Sequence, residues 1–253
     1  MQIVEALVAG SFIGLVLGFV GAGGAMLSVP ILIYIFNFPP KEATVAALAI
    51  VFSAAFAGVI PKYKKQNVLI KDALIIWALG LCTNIGGAVV AKHLSDSFIT
   101  LGFALILITA GSSMLLKPVS ESSEKARPLL LLVLISLLIG AMTGIFGVGG
   151  GFLAIPVLVI YFHVSQEKAS GTSLLIISLN CLTAFLAHSQ SWGQINWRIP
   201  LIIAVTAIFM THFASSRSVR VPVKVLRRTF AILLFMIALY TIWHTLWHIF
   251  RVS

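Results

Sequence analysis

GFVGAGGAMLSVPILIYIF spans Gly18–Phe36, and GIFGVGGGFLAIPVLVIYF spans Gly144–Phe162, 126 residues further along the chain. Both phrases are apolar enough for a membrane, yet both carry residues that an ordinary anchor helix avoids. Glycine in a helix interior costs about 1 kcal/mol relative to alanine, and proline interrupts the hydrogen-bond ladder. Gly21, Gly23 and Gly24 match Gly147, Gly149 and Gly150, and Pro30 matches Pro156. Gly151 extends the second cluster. Such a phrase written twice predicts a duplicated unit with a broken or re-entrant helix in each copy, the prolines unwinding or kinking the short segments that follow.

The surrounding composition sets the class. The 253 residues are 60% hydrophobic and 9% charged, with a mean hydropathy of +1.09. Soluble domains carry about 25% charged residues, so this is an all-α integral membrane protein. The net charge of +10 fits basic cytoplasmic loops better than nucleic-acid binding, because no aromatic residues interleave with the basic ones on a soluble face. The N-terminus lacks the features of a cleaved signal peptide and reads as a retained first helix. Cys82 and Cys181 both fall in apolar runs and read as buried thiols, and nothing calls for a cofactor or a metal.

Apolar runs predict helices near 2–20, 25–37, 43–61, 70–91, 97–116, 129–146, 151–162, 169–187, 198–215 and 225–249. The polar, serine-rich stretch KPVSESSEKARP divides them. The organisation is a first membrane repeat (1–117), a linker (118–128) and a second membrane repeat (129–253), with about five helical segments in each. Loop charge sets their relative orientation. PKYKKQNVLIK (61–71) and SRSVRVPVKVLRR (216–228) are strongly basic, while their counterparts in the other half are nearly neutral. Five crossings per repeat place 13 of the lysines and arginines inside and 4 outside. This inside-positive bias predicts two inverted-topology repeats in the cytoplasmic membrane, with both termini outside the cytoplasm.

Inverted repeats typify secondary transporters, whose sites form where discontinuous helices meet. Non-helical backbone survives in a membrane only against protein or a polar cavity. A helix that starts after such a break presents free N–H groups and a positive dipole end, which suits an anion. The expectation is that the two breaks aim their helix starts at one central point. The competing explanation is close helix packing through small residues.

The paired G-x-G-G…P phrases, with KASGTSLLIISLN after the second, resemble the sulfite exporter TauE/SafE family over essentially the whole chain. That resemblance implies movement of small sulfur-containing anions such as sulfite or sulfoacetate. It also implies that Gly21, Gly23, Gly24, Gly147, Gly149 and Gly150 form a broken-helix site. Gly171-Thr172-Ser173 fits the family pattern, whereas the first half reads Val45-Ala46-Ala47 at that place. The second repeat is therefore expected to supply most of the polar ligands.

Other polar residues stand within apolar runs. Asn84, Thr172, Ser173 and Asn180 are candidate substrate ligands, each weighed against a role as helix–helix glue. His212 is the candidate for carrying a coupling proton. His244 and His248 have metal-compatible spacing, but Trp243 and Trp247 beside them point to an interfacial aromatic belt. Glu5 and Glu42 lie near helix ends and Asp72 and Asp96 near loops, which offers little for a carboxylate relay. The leading reading is a secondary transporter for a small inorganic or organic sulfur anion, working by alternating access. The alternatives are an anion channel of the same architecture and a carrier for another small anion. A membrane enzyme needs a convergent catalytic set that these residues do not supply.

Overall fold

The computed structural model describes residues 2–115, 129–147, 154–155, 158–159, 164–217, 228, 231–232, 234–243 and 245. Its helices are α1 (Gln2–Val20), α2 (Gly23–Tyr34), α3 (Pro40–Lys64), α4 (Ile70–Ala91), α5 (Asp96–Leu115), α6 (Leu129–Phe146), α7 (Gln166–Ala187) and α8 (Arg198–Arg217). A shorter apolar helix, α9, covers Leu234–Trp243. The described part of the chain is all-helical, with no strand. Five of its helices, α1, α3, α4, α7 and α8, are long and apolar enough to cross a membrane. The linker and much of the segment expected at 151–162 lie outside the described residues, as do Gly149, Gly150, Gly151, Pro156, His244 and His248.

Helix ends follow local chemistry. α3 starts one residue after Pro39, with Pro40 in its first turn, where a missing N–H costs nothing. Its last turn carries Lys62 and Lys64, which suit the negative end of the helix dipole. Asn37 and Gln66 take positive φ in the turns after α2 and α3. Pro30 departs from expectation. It lies inside α2 without unwinding it.

Small residues set the packing. Gly10, Gly14 and Gly18 form a stripe on α1 against Ile203, Ala207 and Ala214 of α8. At each of the three, an added Cβ would come within 2.6 Å of an α8 atom. Gly80 of α4 meets Gly140 of α6, and Gly144 of α6 meets Asn84 and Ala88 of α4. The first long helix of the first half, α1, thus packs on α8 of the second, and that of the second half, α6, packs on α4 of the first. α3 and α7 lie between these pairs and contact one another. Outside the core, Phe56, Leu105, Leu134, Phe209 and Leu239 are exposed, as lipid-facing residues are when the solvent is apolar. Cys181 is buried, but Cys82 is exposed on α4 and corrects the expectation of two buried thiols.

Candidate functional site

Helices end at the first glycine of each cluster, and among the described glycines Gly21 and Gly147 take an unusual conformation. Gly21 has φ +85° and Gly147 has φ +70°. Only glycine adopts this region without a steric cost. Gly21 N–H still donates to Leu17 O at 2.8 Å, and Gly147 N–H to Thr143 O at 3.0 Å. Each glycine therefore closes one helix, and at Gly21 the chain turns back so that α2 packs on α1. Gly23 begins α2, and Gly24 packs α2 back onto Ile13 and Leu17 of α1. The cap residue of α2, Ala22, supplies no side-chain hydrogen bond, so the N–H groups of its first turn have no side-chain cap.

The two turns are covered reciprocally. A Cβ on Gly21 would strike Ser170, in the first turns of α7, and a Cβ on Gly147 would strike Thr44, in the first turns of α3. Ser170 follows Thr44 by the same 126 residues that separate the glycines. The turns that precede α3 and α7 repeat the correspondence. Phe38 N–H donates to Leu32 O at 3.0 Å and Val164 N–H to Leu158 O at 2.9 Å, again 126 residues apart.

The turns do not meet at a central point, which corrects the sequence expectation. Gly58 of α3 stands level with Leu174 of α7, a contact that a Cβ would make at 3.2 Å. The residues opening α3 share a cavity with His188, which follows the end of α7, so the two helices are antiparallel. Thr44 lies 14 residues before Gly58, and Ser170 lies 4 before Leu174. At 1.5 Å per helical residue, the glycine turns stand roughly 25 Å apart along the bundle. Each belongs to one end of it.

The polar candidates divide between these places. The Ser173 hydroxyl donates to Gly21 O at 3.1 Å. The Ser170 hydroxyl, in a side chain 5% exposed, has no hydrogen-bond partner. Thr172 is occupied elsewhere: it accepts from the N–H of Leu69, the cap residue of α4, at 3.0 Å and donates to Lys168 O at 2.7 Å. Asn84 joins α4 to α7. Its side-chain amide donates to Asn180 O at 2.9 Å, Asn180 Oδ1 at 3.1 Å and Thr183 Oγ1 at 3.0 Å. Asn84 Oδ1 and Asn180 Nδ2 are buried without partners. His212 is exposed on α8, with Nδ1 3.3 Å from Ala57 O, and is not brought to either turn.

One residue was missed by the sequence reading. His188, 4% exposed at the end of α7, places Nε2 3.1 Å from Gly144 O, one turn before the Gly147 break. Burial lowers its pKa below the usual imidazole value. The Gly144 hydrogen bond partly opposes that shift, and the nearby Lys92 charge adds to it. A histidine directly after a predicted helix and 126 residues beyond Lys62 was the available signal.

A family model described as Sulfite exporter TauE/SafE matches residues 6–241. The chain belongs to the sulfite exporter TauE/SafE family. Similar proteins include a probable membrane transporter protein of Xylella fastidiosa strain 9a5c, 26% identical, with 93% of each chain covered. The probable membrane transporter protein YunE of Bacillus subtilis strain 168 is 24% identical, covering 83% of this chain and 86% of its own. Another from Methanocaldococcus jannaschii is 24% identical, covering 87% and 88%. This TauE/SafE chain is accordingly a multi-pass membrane transporter rather than an enzyme.

Proposed function

We propose that the protein is a secondary carrier for a small sulfur-containing anion, and that its two halves are inverted repeats working by alternating access. The observation that carries this reading is the reciprocal pairing of Gly21 with Ser170 and of Gly147 with Thr44. Each half's helix break is covered by the start of the other half's long central helix. Moving one half against the other uncovers one break and tightens the cover on the other, as alternating access requires.

At the Gly21 end, the uncapped start of α2 and the unpartnered Ser170 hydroxyl are donors suited to an oxyanion. In this reading Gly21, Gly23, Ser170 and Ser173 form one half-site and Gly147 with Gly149, Gly150 and Gly151 the other. Gly24 and Thr172 hold the surrounding helices in place. Asn84 and Asn180 line the route between the two ends. In this reading the Gly21 end lies at the cytoplasmic face of the cytoplasmic membrane with both termini outside, an orientation that the inside-positive count supports.

The test is reconstitution in liposomes with labelled sulfite, thiosulfate, sulfate and sulfoacetate, with and without a pH gradient. Saturable uptake with counterflow supports a carrier. Non-saturating flux with resolvable unitary currents replaces it with a channel. Failure of all four anions, in protein that exchanges another small anion, removes the sulfur specificity. Reporter fusions at both termini test the orientation.

A further inference from the structure

A cavity of about 430 Å³ opens at the end of the bundle where α3 begins and where α4 and α7 finish. Lys41, Glu42 and Thr44 reach it from α3, Lys92 from the end of α4, and His188 and Gln190 from the segment after α7. Lys92 Nζ donates to Gln190 Oε1 at 2.8 Å, and Lys41 Nζ donates to Lys92 O at 3.4 Å. These bonds hold both ammonium groups at the cavity. Thr44 connects it to the helix break, because the same residue covers Gly147.

We propose that this cavity is an oxyanion-binding vestibule, in which Lys41 and Lys92 attract the anion and the imidazole of His188 contacts it above the Gly147 turn. The inference deepens the carrier reading and rests on it for the direction of transport, but not for binding.

The charge balance supports an anion. Among the described residues, two lysines face one carboxylate, Glu42, and the remaining polar lining is neutral. From α5 and α6 the cavity receives only Ile99 and Ile145, so no further charge faces His188 from those helices. A carbonyl only accepts, so the Nε2 that meets Gly144 O carries the proton. Nδ1 of the neutral ring is then an acceptor, and on protonation it becomes a donor with positive charge. The neutral form dominates near pH 7, because burial and Lys92 both oppose protonation. A bound dianion reverses that preference. At the other end of the bundle the corresponding position is Lys62, which is also buried. Both halves therefore place a basic side chain inside the protein at the end of the central helix.

The experiment measures equilibrium binding of labelled sulfate and thiosulfate to the full-length protein in nanodiscs. Both anions remain dianionic between the two pH values used, so a pH effect belongs to the protein. Wild type is expected to bind about fivefold more tightly near pH 5.5 than near pH 7.5. The double variant Lys41→Gln/Lys92→Gln is expected to lose about tenfold at both. His188→Gln, which keeps a donor for Gly144 O, is expected to bind about fivefold more weakly than wild type near pH 5.5 and to show no gain in acid. Wild-type affinity in the double variant, an intact acid gain in His188→Gln, or no binding of either anion to folded wild type overturns the proposal. Parallel counterflow in liposomes separates the two readings. Binding that depends on the lysines without counterflow retires the carrier and keeps the vestibule. Counterflow with binding indifferent to the lysines does the reverse.

Discussion

Gly21 reverses the chain against Ser170, so a residue that ends a helix in one half is sealed by the start of a helix in the other. The contact leaves no room for a side chain, and φ at Gly21 is +85°. Gly21→Ala therefore meets two penalties: roughly 1–2 kcal/mol for the left-handed backbone and roughly 1–3 kcal/mol for overpacking. Thermal unfolding in detergent is expected to show the sum. Adding Ser170→Gly removes the clash with the Ser170 side chain but not those with its main chain, so the double variant recovers part of the loss. Full recovery would mean the backbone conformation carries no strain.

Ser170→Ala separates binding from folding. The hydroxyl is buried without a partner, so its removal relieves an unsatisfied polar group and leaves stability unchanged or raised by about 1 kcal/mol. If that hydroxyl meets the substrate, anion flux falls about tenfold, the worth of one hydrogen bond to a charged group. Unaltered KM and maximal rate in a stable Ser170→Ala protein would remove Ser170 from the site.

The Asn84–Asn180 bridge makes an asymmetric prediction. Asn84 supplies the donor for three bonds, whereas one of its acceptors is the main-chain oxygen of residue 180. Asn84→Ala loses all three and is expected to cost about 1–2 kcal/mol, the upper range for polar contacts between membrane helices. Asn180→Ala keeps the backbone acceptor and is expected to cost about half as much. Equal losses in unfolding assays would point to the side-chain pair alone as the source of stability.

Much of this architecture could be read from the chain, because hydrophobic run length, loop charge and repeated glycines are local signals. The 126-residue repeat reappears in the matched turns and in the hydrogen bonds at Phe38 and Val164. The depth of the breaks was not legible. A glycine cluster reveals that a helix stops, while the partner helix decides how far across the bundle it stops. Ser170 was passed over for Thr172 and Ser173 because hydroxyl spacing says nothing about which rotamer is occupied elsewhere. Thr172 proves to accept from the backbone N–H that opens α4. Pro30 misled for a related reason, since the packing of α2 against α1 and α3 keeps the segment helical through it. The α1 stripe of Gly10, Gly14 and Gly18 was visible as four-residue spacing, yet its partner on α8 was not.

Acid should weaken the protein through His188, and an anion should oppose the effect. Burial is the larger cause of the lowered pKa, with Lys92 acting in the same direction. The folded state thus holds the ring neutral at pH values where an unfolded chain would protonate it. The associated stability is complete above the ordinary imidazole value and is lost as pH falls through the lower folded value. Unfolding temperatures measured from about pH 7.5 down to about pH 4.5 are expected to fall faster for wild type than for His188→Gln. Millimolar sulfate should narrow that difference from the acid side by binding the protonated ring, and chloride at equal ionic strength should not. Identical pH curves for the two proteins would mean that His188 does not change charge within this range.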